Sequence, residues 1–191
     1  MIYMNIKILC IDGSPRVKGN TEILIDIIKD RFIELGASVD KIKLSNLDIK
    51  PCVECRKCLE EGICCINDDI RRIVFPKLFN SDIIVVASPV YFNNVSSYVK
   101  IFMDRTWSIR GKLKNKVGGA VVVGRGYGLE QALQAIYAWM IKHRMIIGCP
   151  GLQGEAFEKG EILNDERALS DVGKFVKRLY EISILIKGTS K

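Results

Sequence analysis

"IKILCIDGSPRVKGNT", residues 6–21, joins a continuous apolar run to a loop of glycine, serine and other polar residues. The run from Ile6 to Asp12 has the pattern of a strand buried on both faces, as in the middle of a parallel sheet. Such a strand needs helices packed above and below it. "GNTEILIDIIKDRFIELG", residues 19–36, supplies the first of these. Ile23, Ile27, Ile28, Phe32 and Leu35 recur at helical spacing, Asn20 or Thr21 can cap the start, and Gly36 can end it.

The same alternation continues along the chain. "SVDKIKL" from Ser38 alternates like a half-covered strand. "DIIVVAS" (Asp82 to Ser88) and "VGGAVVVG" (Val117 to Gly124) read as central strands, and "MIIGC" (Met145 to Cys149) as a short last one. Helical patterns separate them, over about Asp68 to Asn80, Val95 to Ile109, Gly128 to Arg144 and Asp165 to Ile186. Parallel neighbours need crossovers, and crossovers are right-handed, so the pattern predicts an α/β domain wound on both faces of its sheet. Five strands suggest the flavodoxin-like order 2-1-3-4-5, whose ligand site lies at the carboxyl ends of strands 1 and 3. No repeat, low-complexity tract or linker divides the chain, and residues 1–191 read as a single domain.

Composition narrows the function classes. The chain has 29 Lys and Arg against 22 Asp and Glu, a net charge of +7. The basic residues are scattered, and the one local cluster, "RGKLKNK" from Arg110 to Lys116, has no interleaved aromatics, so nucleic acid is not the expected partner. An anionic cofactor or an acidic protein explains the excess better. Apolar runs such as Ile83 to Ala87 are too short to cross a bilayer, and "MIYMNIKILCIDGSP" lacks a charged leader and a cleavage site. The expectation is a cytoplasmic protein with no membrane partner. Seven cysteines in a reducing compartment then point to metal or redox chemistry, because disulfides do not persist there.

Three loops fall at the ends of the first, third and fourth strands. "DGSPRVKGNT" (Asp12 to Thr21) suits an anion: Gly13 and Gly19 let amides turn inward, Ser14, Asn20 and Thr21 offer hydrogen bonds, and Arg16 adds charge beside a helix N-terminus. It lacks the Gly-Lys-Ser/Thr ending of nucleoside-triphosphate loops and the Gly-x-Gly-x-x-Gly turn of dinucleotide folds, which favours a single phosphate group. The plain alternative is a connecting turn. "SPVYFNNVSS" (Ser88 to Ser97) sets Tyr91 and Phe92 beside Pro89 and two asparagines, and can lie along a flat ring or simply anchor the loop. "GRGYGLEQ" (Gly124 to Gln131) is placed as a third wall of the same pocket.

"KPCVECRKCLEEGICCIND", from Lys50, holds five of the seven cysteines. The stretch between Leu44 and Asp68 has little periodicity and is longer than a compact domain usually leaves unstructured, so something must organise it. Cys52, Cys55 and Cys58 are each separated by two residues, which lets a tightly wound chain place three thiolates around one cuboidal cluster, with a fourth a few residues on. Zinc and unliganded thiols are the alternatives; structural zinc more often pairs ligands from two distant knuckles. Cys10 and Cys149 lie in apolar strands and read as packing. His143, between Lys142 and Arg144, reads as a surface cation at a helix end. Asp104 and Arg105 read as a solvated helix end, and Trp107 and Trp139 as packing or subunit contacts.

"GSPRVKGNTEIL" (from Gly13), "KPCVECRKCLEEGICCINDDI" (from Lys50) and "SPVYFNNVSSYVKIFMDRT" (from Ser88) together resemble the iron-sulfur flavoproteins of the NAD(P)H-dependent FMN reductase superfamily. The resemblance covers roughly residues 1–130. It implies a flavodoxin-like fold carrying FMN and a 4Fe-4S cluster held by a loop at about residues 48–67. Ser14, Arg16, Asn20 and Thr21 match the family's phosphate loop. Pro89, Val90, Tyr91, Phe92, Asn93 and Asn94 fall where it holds the flavin ring, with Gly124 on the adjoining wall. Cys52, Cys55, Cys58 and Cys64 match its cluster ligands. This chain reads "GICC" where the family usually has one cysteine, which makes Cys65 a rival to Cys64. The implied activity is electron transfer from a ferredoxin-like donor through the cluster to FMN and an acceptor, in a homodimer or homotetramer, with no acid-base side chain required. An NAD(P)H-dependent FMN or quinone reductase with structural cysteines, and a zinc-stabilised flavin-binding module, are the alternatives.

Overall fold

The computed structural model describes residues 5–189. Residues 1–4, on which the expectation of no leader partly rests, lie outside them. One sheet is built from β1 (Lys7–Asp12), β2 (Ser38–Lys43), β3 (Ile83–Pro89), β4 (Val117–Gly124) and two short strands, β5 (Ile146–Ile147) and β6 (Leu152–Glu155). Every pairing is parallel and the order is β2-β1-β3-β4-β5, as the alternation of elements predicts, with β6 also on β4.

The last sheet position differs from expectation. β5 pairs with Val117 and Gly118 of β4, and β6 with Val121 to Gly124. Between them runs Gly148 to Gly151, where Pro150 has no N–H for the ladder and Gly151 takes a φ of +91°. The chain therefore leaves the sheet and returns, and its second contact adds residues at the carboxyl end of β4.

Helices α1 (Asn20–Glu34) and α6 (Glu166–Thr189) cover one face; α3 (Phe75–Asn80), α4 (Ser97–Arg105) and α5 (Leu129–Lys142) cover the other. A one-turn α2 (Lys57–Glu60) lies within the cysteine loop. Strand side chains alternate between two cores: Leu9, Ile11, Ile84, Val86 and Val122 pack under α3 to α5, and Ile8, Cys10, Val85, Val121 and Val123 under α1 and α6. Each such apolar side chain contributes ~1.5–3 kcal/mol relative to exposure. Cys10 is core, and burial pushes its thiol up to about 12. Ahead of α3 the helix widens into a π-helical turn at Ile70–Val74, because Pro76 has no N–H to continue the regular ladder.

Four side chains depart from their sequence reading. Neither Asn20 nor Thr21 caps α1: Gly19 holds the cap position without a side-chain bond. Asn20 instead reaches across the chain, donating to Glu158 O at 2.8 Å and accepting from Gly160 N at 2.8 Å. His143 is buried, with Nε2 3.0 Å from Thr106 Oγ1. Asp104 is exposed and paired with Lys100 at 2.6 Å, but its neighbour Arg105 is wholly buried. Trp139 packs on Phe102 with ring centres 5.1 Å apart, and Trp107 stays partly exposed under the Arg110 guanidinium.

Candidate functional site

The carboxyl ends of β1, β3 and β4 meet in a crevice of about 270 Å³. The first wall is the loop after β1. Its start is held by Asp12, whose carboxylate accepts from Ser14 N and Lys43 Nζ, both at 2.8 Å. Lys43 Nζ also donates to Glu22 Oε2 and to Arg16 O, each at 2.8 Å, so one ammonium draws the loop, β2 and α1 together. Burial lifts the Asp12 carboxyl above its ordinary range, opposed by Lys43 and the Ser14 amide. Against the upward pull of burial, Lys43 and the Lys18 amide hold Glu22 below the usual carboxylate range. Ser14 Oγ accepts from Arg16 N at 3.2 Å, leaving its proton to donate into the crevice. Ser14 and Thr21 are buried and Arg16 is exposed, and all three line the crevice.

The second wall is sewn to the first. Ser96 Oγ donates to Gly13 O at 2.7 Å, and Gly13 N to Ala87 O at 2.9 Å. No side chain fits at Gly13, where a Cβ would stand 2.1 Å from Val99 Cγ2 and 2.9 Å from Ala87 O. Tyr91 and Asn94 bond each other's backbone in both directions around Phe92 and Asn93, which have φ of 47° and 58°. That is a tight turn of left-handed residues, uncommon for a phenylalanine. It leaves the Phe92 ring fully exposed at the tip.

Pro89, Val90, Tyr91, Phe92 and Gly124 line the crevice together with Ser14, Arg16, Asn20 and Thr21. Asn93 and Asn94 are not among the lining residues: Asn93 packs against Gly128, where a Cβ would stand 2.6 Å from Asn93 Cα, and Asn94 Oδ1 accepts from Val95 N at 2.8 Å. Arg125 and Tyr127 of the 124–131 loop line the third wall, as that loop's reading expects, whereas Val123, Ala156 and Phe157 were not expected there. Arg125 lies 3.5 Å over the Phe157 ring. No local signal marks Ala156 and Phe157, which arrive on the β6 return.

The second cavity, about 650 Å³, is lined by all five loop cysteines, Cys52, Cys55, Cys58, Cys64 and Cys65, together with Met103 to Arg105, Trp107 and Ser108. Glu54 and Arg56, on either side of Cys55, have φ of 51° and 61°. Non-glycine residues in this left-handed region turn the chain sharply, so the two-residue spacing becomes a curl facing one cavity. Among the described residues no three such side chains close around a metal position. Cys55 and Cys65 instead touch at 3.2 Å between sulfurs, which holds the Cys55 thiol below its ordinary value and raises that of Cys65. Cys64 is buried, while Cys52, Cys55 and Cys65 are exposed.

The loop's ends are fixed. Asp48 N donates to Asp69 Oδ2 at 2.9 Å and Asp69 N to Asp48 O at 3.1 Å. Above this, Asp68 accepts Lys50 N at 2.9 Å and both terminal nitrogens of Arg105, with Nη2 at 2.9 Å from Oδ1. Burial opposes both charges, but the pairing holds Asp68 below the usual carboxylate range and Arg105 above its ordinary value.

This sheet order, with its ligand crevice at the carboxyl ends of β1, β3 and β4, defines a flavodoxin-like protein. The chain belongs to the NADPH-dependent FMN reductase family, whose model matches residues 6–151. An iron-sulfur flavoprotein of Methanocaldococcus jannaschii is 36% identical over 192 residues, covering 95% of this chain and 99% of its own. One from Methanosarcina thermophila is 34% identical over 186 residues, covering 95% and 97%. Among solved structures, RosB with a bound formylated riboflavin-5'-phosphate derivative superposes with a TM-score of 0.81 at 16% identity, covering 97% of this chain and 82% of RosB. That likeness establishes the fold. Among the described residues no helix is long and apolar enough to cross a membrane.

Proposed function

We propose that this chain is an electron-transferring flavoprotein that holds FMN in the crevice and a 4Fe-4S cluster in the cysteine cavity, with a ferredoxin-like donor on the one-electron side. When bound, the cluster supplies single-electron exchange and the flavin supplies both one- and two-electron chemistry. The observation that carries the reading is the convergence of five thiols from one short loop on a single 650 Å³ cavity. Soft thiolates at this spacing are the donor set that iron-sulfur chemistry uses.

The chain's own residues divide the work. Ser14 and Thr21 present buried hydroxyls, Arg16 presents charge, and the α1 N-terminus adds its dipole, which together suit a phosphate monoester. Pro89 to Phe92 and Phe157 supply apolar and aromatic surface for a flat ring. Cys52, Cys55, Cys58 and Cys64 would hold the cluster. No side chain is assigned to proton transfer. Assembly as a homodimer or homotetramer and a cytoplasmic location belong to the same reading.

Anaerobic purification followed by iron, acid-labile sulfide and flavin assays tests it: about four irons and four sulfides per FMN are expected. Zinc in place of iron would refute the cluster. The family's own description favours a second reading, direct hydride transfer from NAD(P)H. Flavin bleaching by NAD(P)H faster than by reduced ferredoxin would select it. Sedimentation of the holoprotein reads the oligomeric state.

A further inference from the structure

The guanidinium of Arg105 ties together both ends of the cysteine loop. Nη1 donates to Lys50 O at 2.7 Å and to Asp68 Oδ2; Nη2 donates to Ile66 O at 3.1 Å and to Asp68 Oδ1 at 2.9 Å. Lys50 precedes Cys52 and Ile66 follows Cys65, so a single side chain spans the neck of the loop. These bonds use four of the five guanidinium N–H groups. The fifth, on Nε, is buried and makes no hydrogen bond. An unmade bond at a buried charged donor is costly, so an orphan of this kind calls for an acceptor.

The acceptor lies in the same cavity wall. Cys64 and Arg105 line the same cavity, and the Cys64 side chain is among the groups that support the guanidinium's charge. Arg71 Nη1 fixes the Cys64 backbone by donating to its carbonyl oxygen at 3.1 Å. Cys65 differs: it is exposed and pressed against Cys55. Burial and a charged donor thus separate two cysteines that are adjacent in sequence.

We propose that Arg105 is the positioning residue of the cysteine cavity, reserving its Nε–H for a Cys64 thiolate and thereby making Cys64, and not Cys65, the fourth cluster ligand. The proposal rests on the cluster reading above. A hydrogen bond from a buried cation to a ligand sulfur favours the more negative, reduced cluster, so Arg105 also raises the cluster's reduction potential. Lysine keeps the charge but lacks the planar fork that reaches Asp68, the neck carbonyls and a sulfur at once.

The test uses the FMN-loaded holoprotein. In redox titrations followed by electron paramagnetic resonance, R105K is expected to keep FMN and shift the cluster to lower potential. C64S is expected to lose the cluster signal and C65S to keep about four irons. If R105K fails to fold, wild-type protein labelled with nitrogen-15 arginine decides the matter. Its reduced cluster should show a nitrogen-15 modulation of the electron spin echo that persists in R56K and in R71K. Absence of that modulation, an unchanged potential in R105K, or loss of the cluster in C65S with retention in C64S would each overturn the role of Arg105 while leaving the cluster reading intact. Iron-free wild-type protein would overturn both.

Discussion

His143 Nε2 and Thr106 Oγ1 lie 3.0 Å apart in the interior, and Trp139 Nε1 donates to the same hydroxyl at 2.7 Å. Thr106 itself donates to Met103 O at 2.6 Å, so its oxygen accepts from both rings. This network assigns the His143 proton to Nε2 and leaves Nδ1 as a buried acceptor without a partner. Burial accordingly lowers the His143 pKa to about 4. Between the ordinary histidine value and about 4 the unfolded chain takes up a proton that the folded chain refuses. Stability therefore falls as pH drops through that window and levels off below it, by roughly 3 kcal/mol at most. His143→Gln, which can still bond Thr106, should flatten this part of the curve. Melting temperatures of the two proteins across the window check it, and parallel curves would count against the assignment.

Gly13→Ala places a methyl group against Val99 and the Ala87 carbonyl, at 2.1 and 2.9 Å. Overpacking of this kind costs ~1–3 kcal/mol. The loop it displaces carries Ser14, so FMN affinity should fall with stability. Val99→Ala should recover part of both losses. A double-mutant cycle in urea with no coupling between the sites would show that the close approach is not the cause.

Lys43→Met removes the cation between Asp12 and Glu22. Breaking one side of a buried ion pair costs ~3–5 kcal/mol, because the remaining charge stays desolvated. Denaturant unfolding should show that loss, together with weaker FMN binding as the loop after β1 comes free of β2. Wild-type stability in this variant would mean that water replaces the ammonium.

Arg16→Gln separates the phosphate from the rest of the flavin. FMN binding should weaken about tenfold, the range of a charge-assisted contact, while riboflavin binding stays unchanged. Fluorescence titration of both flavins reads the difference, and equal losses for the two would place Arg16 elsewhere.

The sheet order and the convergence of its first, third and fourth loops were legible because apolar periodicity is local. Gly13 to Thr21 and Pro89 to Phe92 could be located from their own neighbours in sequence. Arg105 could not. Next to Asp104 it looks like an exposed helix end, and its partner Asp68 lies 37 residues earlier. His143 misled for the same reason: flanking Lys142 and Arg144 suggest solvent, while Thr106, 37 residues away, sits inside. Asn20 was read as a cap and serves a loop 138 residues downstream. Phe157 reaches the crevice only because Pro150 and Gly151 interrupt the last strand and return the chain beside the end of β4.

The paired backbones of Asp48 and Asp69 bear on how such a protein changes over evolutionary time. Because these two residues already touch, the segment between them is a closed insert, and what roots it in the domain is the buried pairing of Asp68 with Arg105. An in-frame deletion there would leave a short turn between β2 and α3, but it would also strip Arg105 of Lys50, Ile66 and Asp68 and strand a buried charge. On this scaffold, losing the cysteine module and neutralising position 105 are coupled events, so an uncharged residue there is the mark a lineage without the loop should carry.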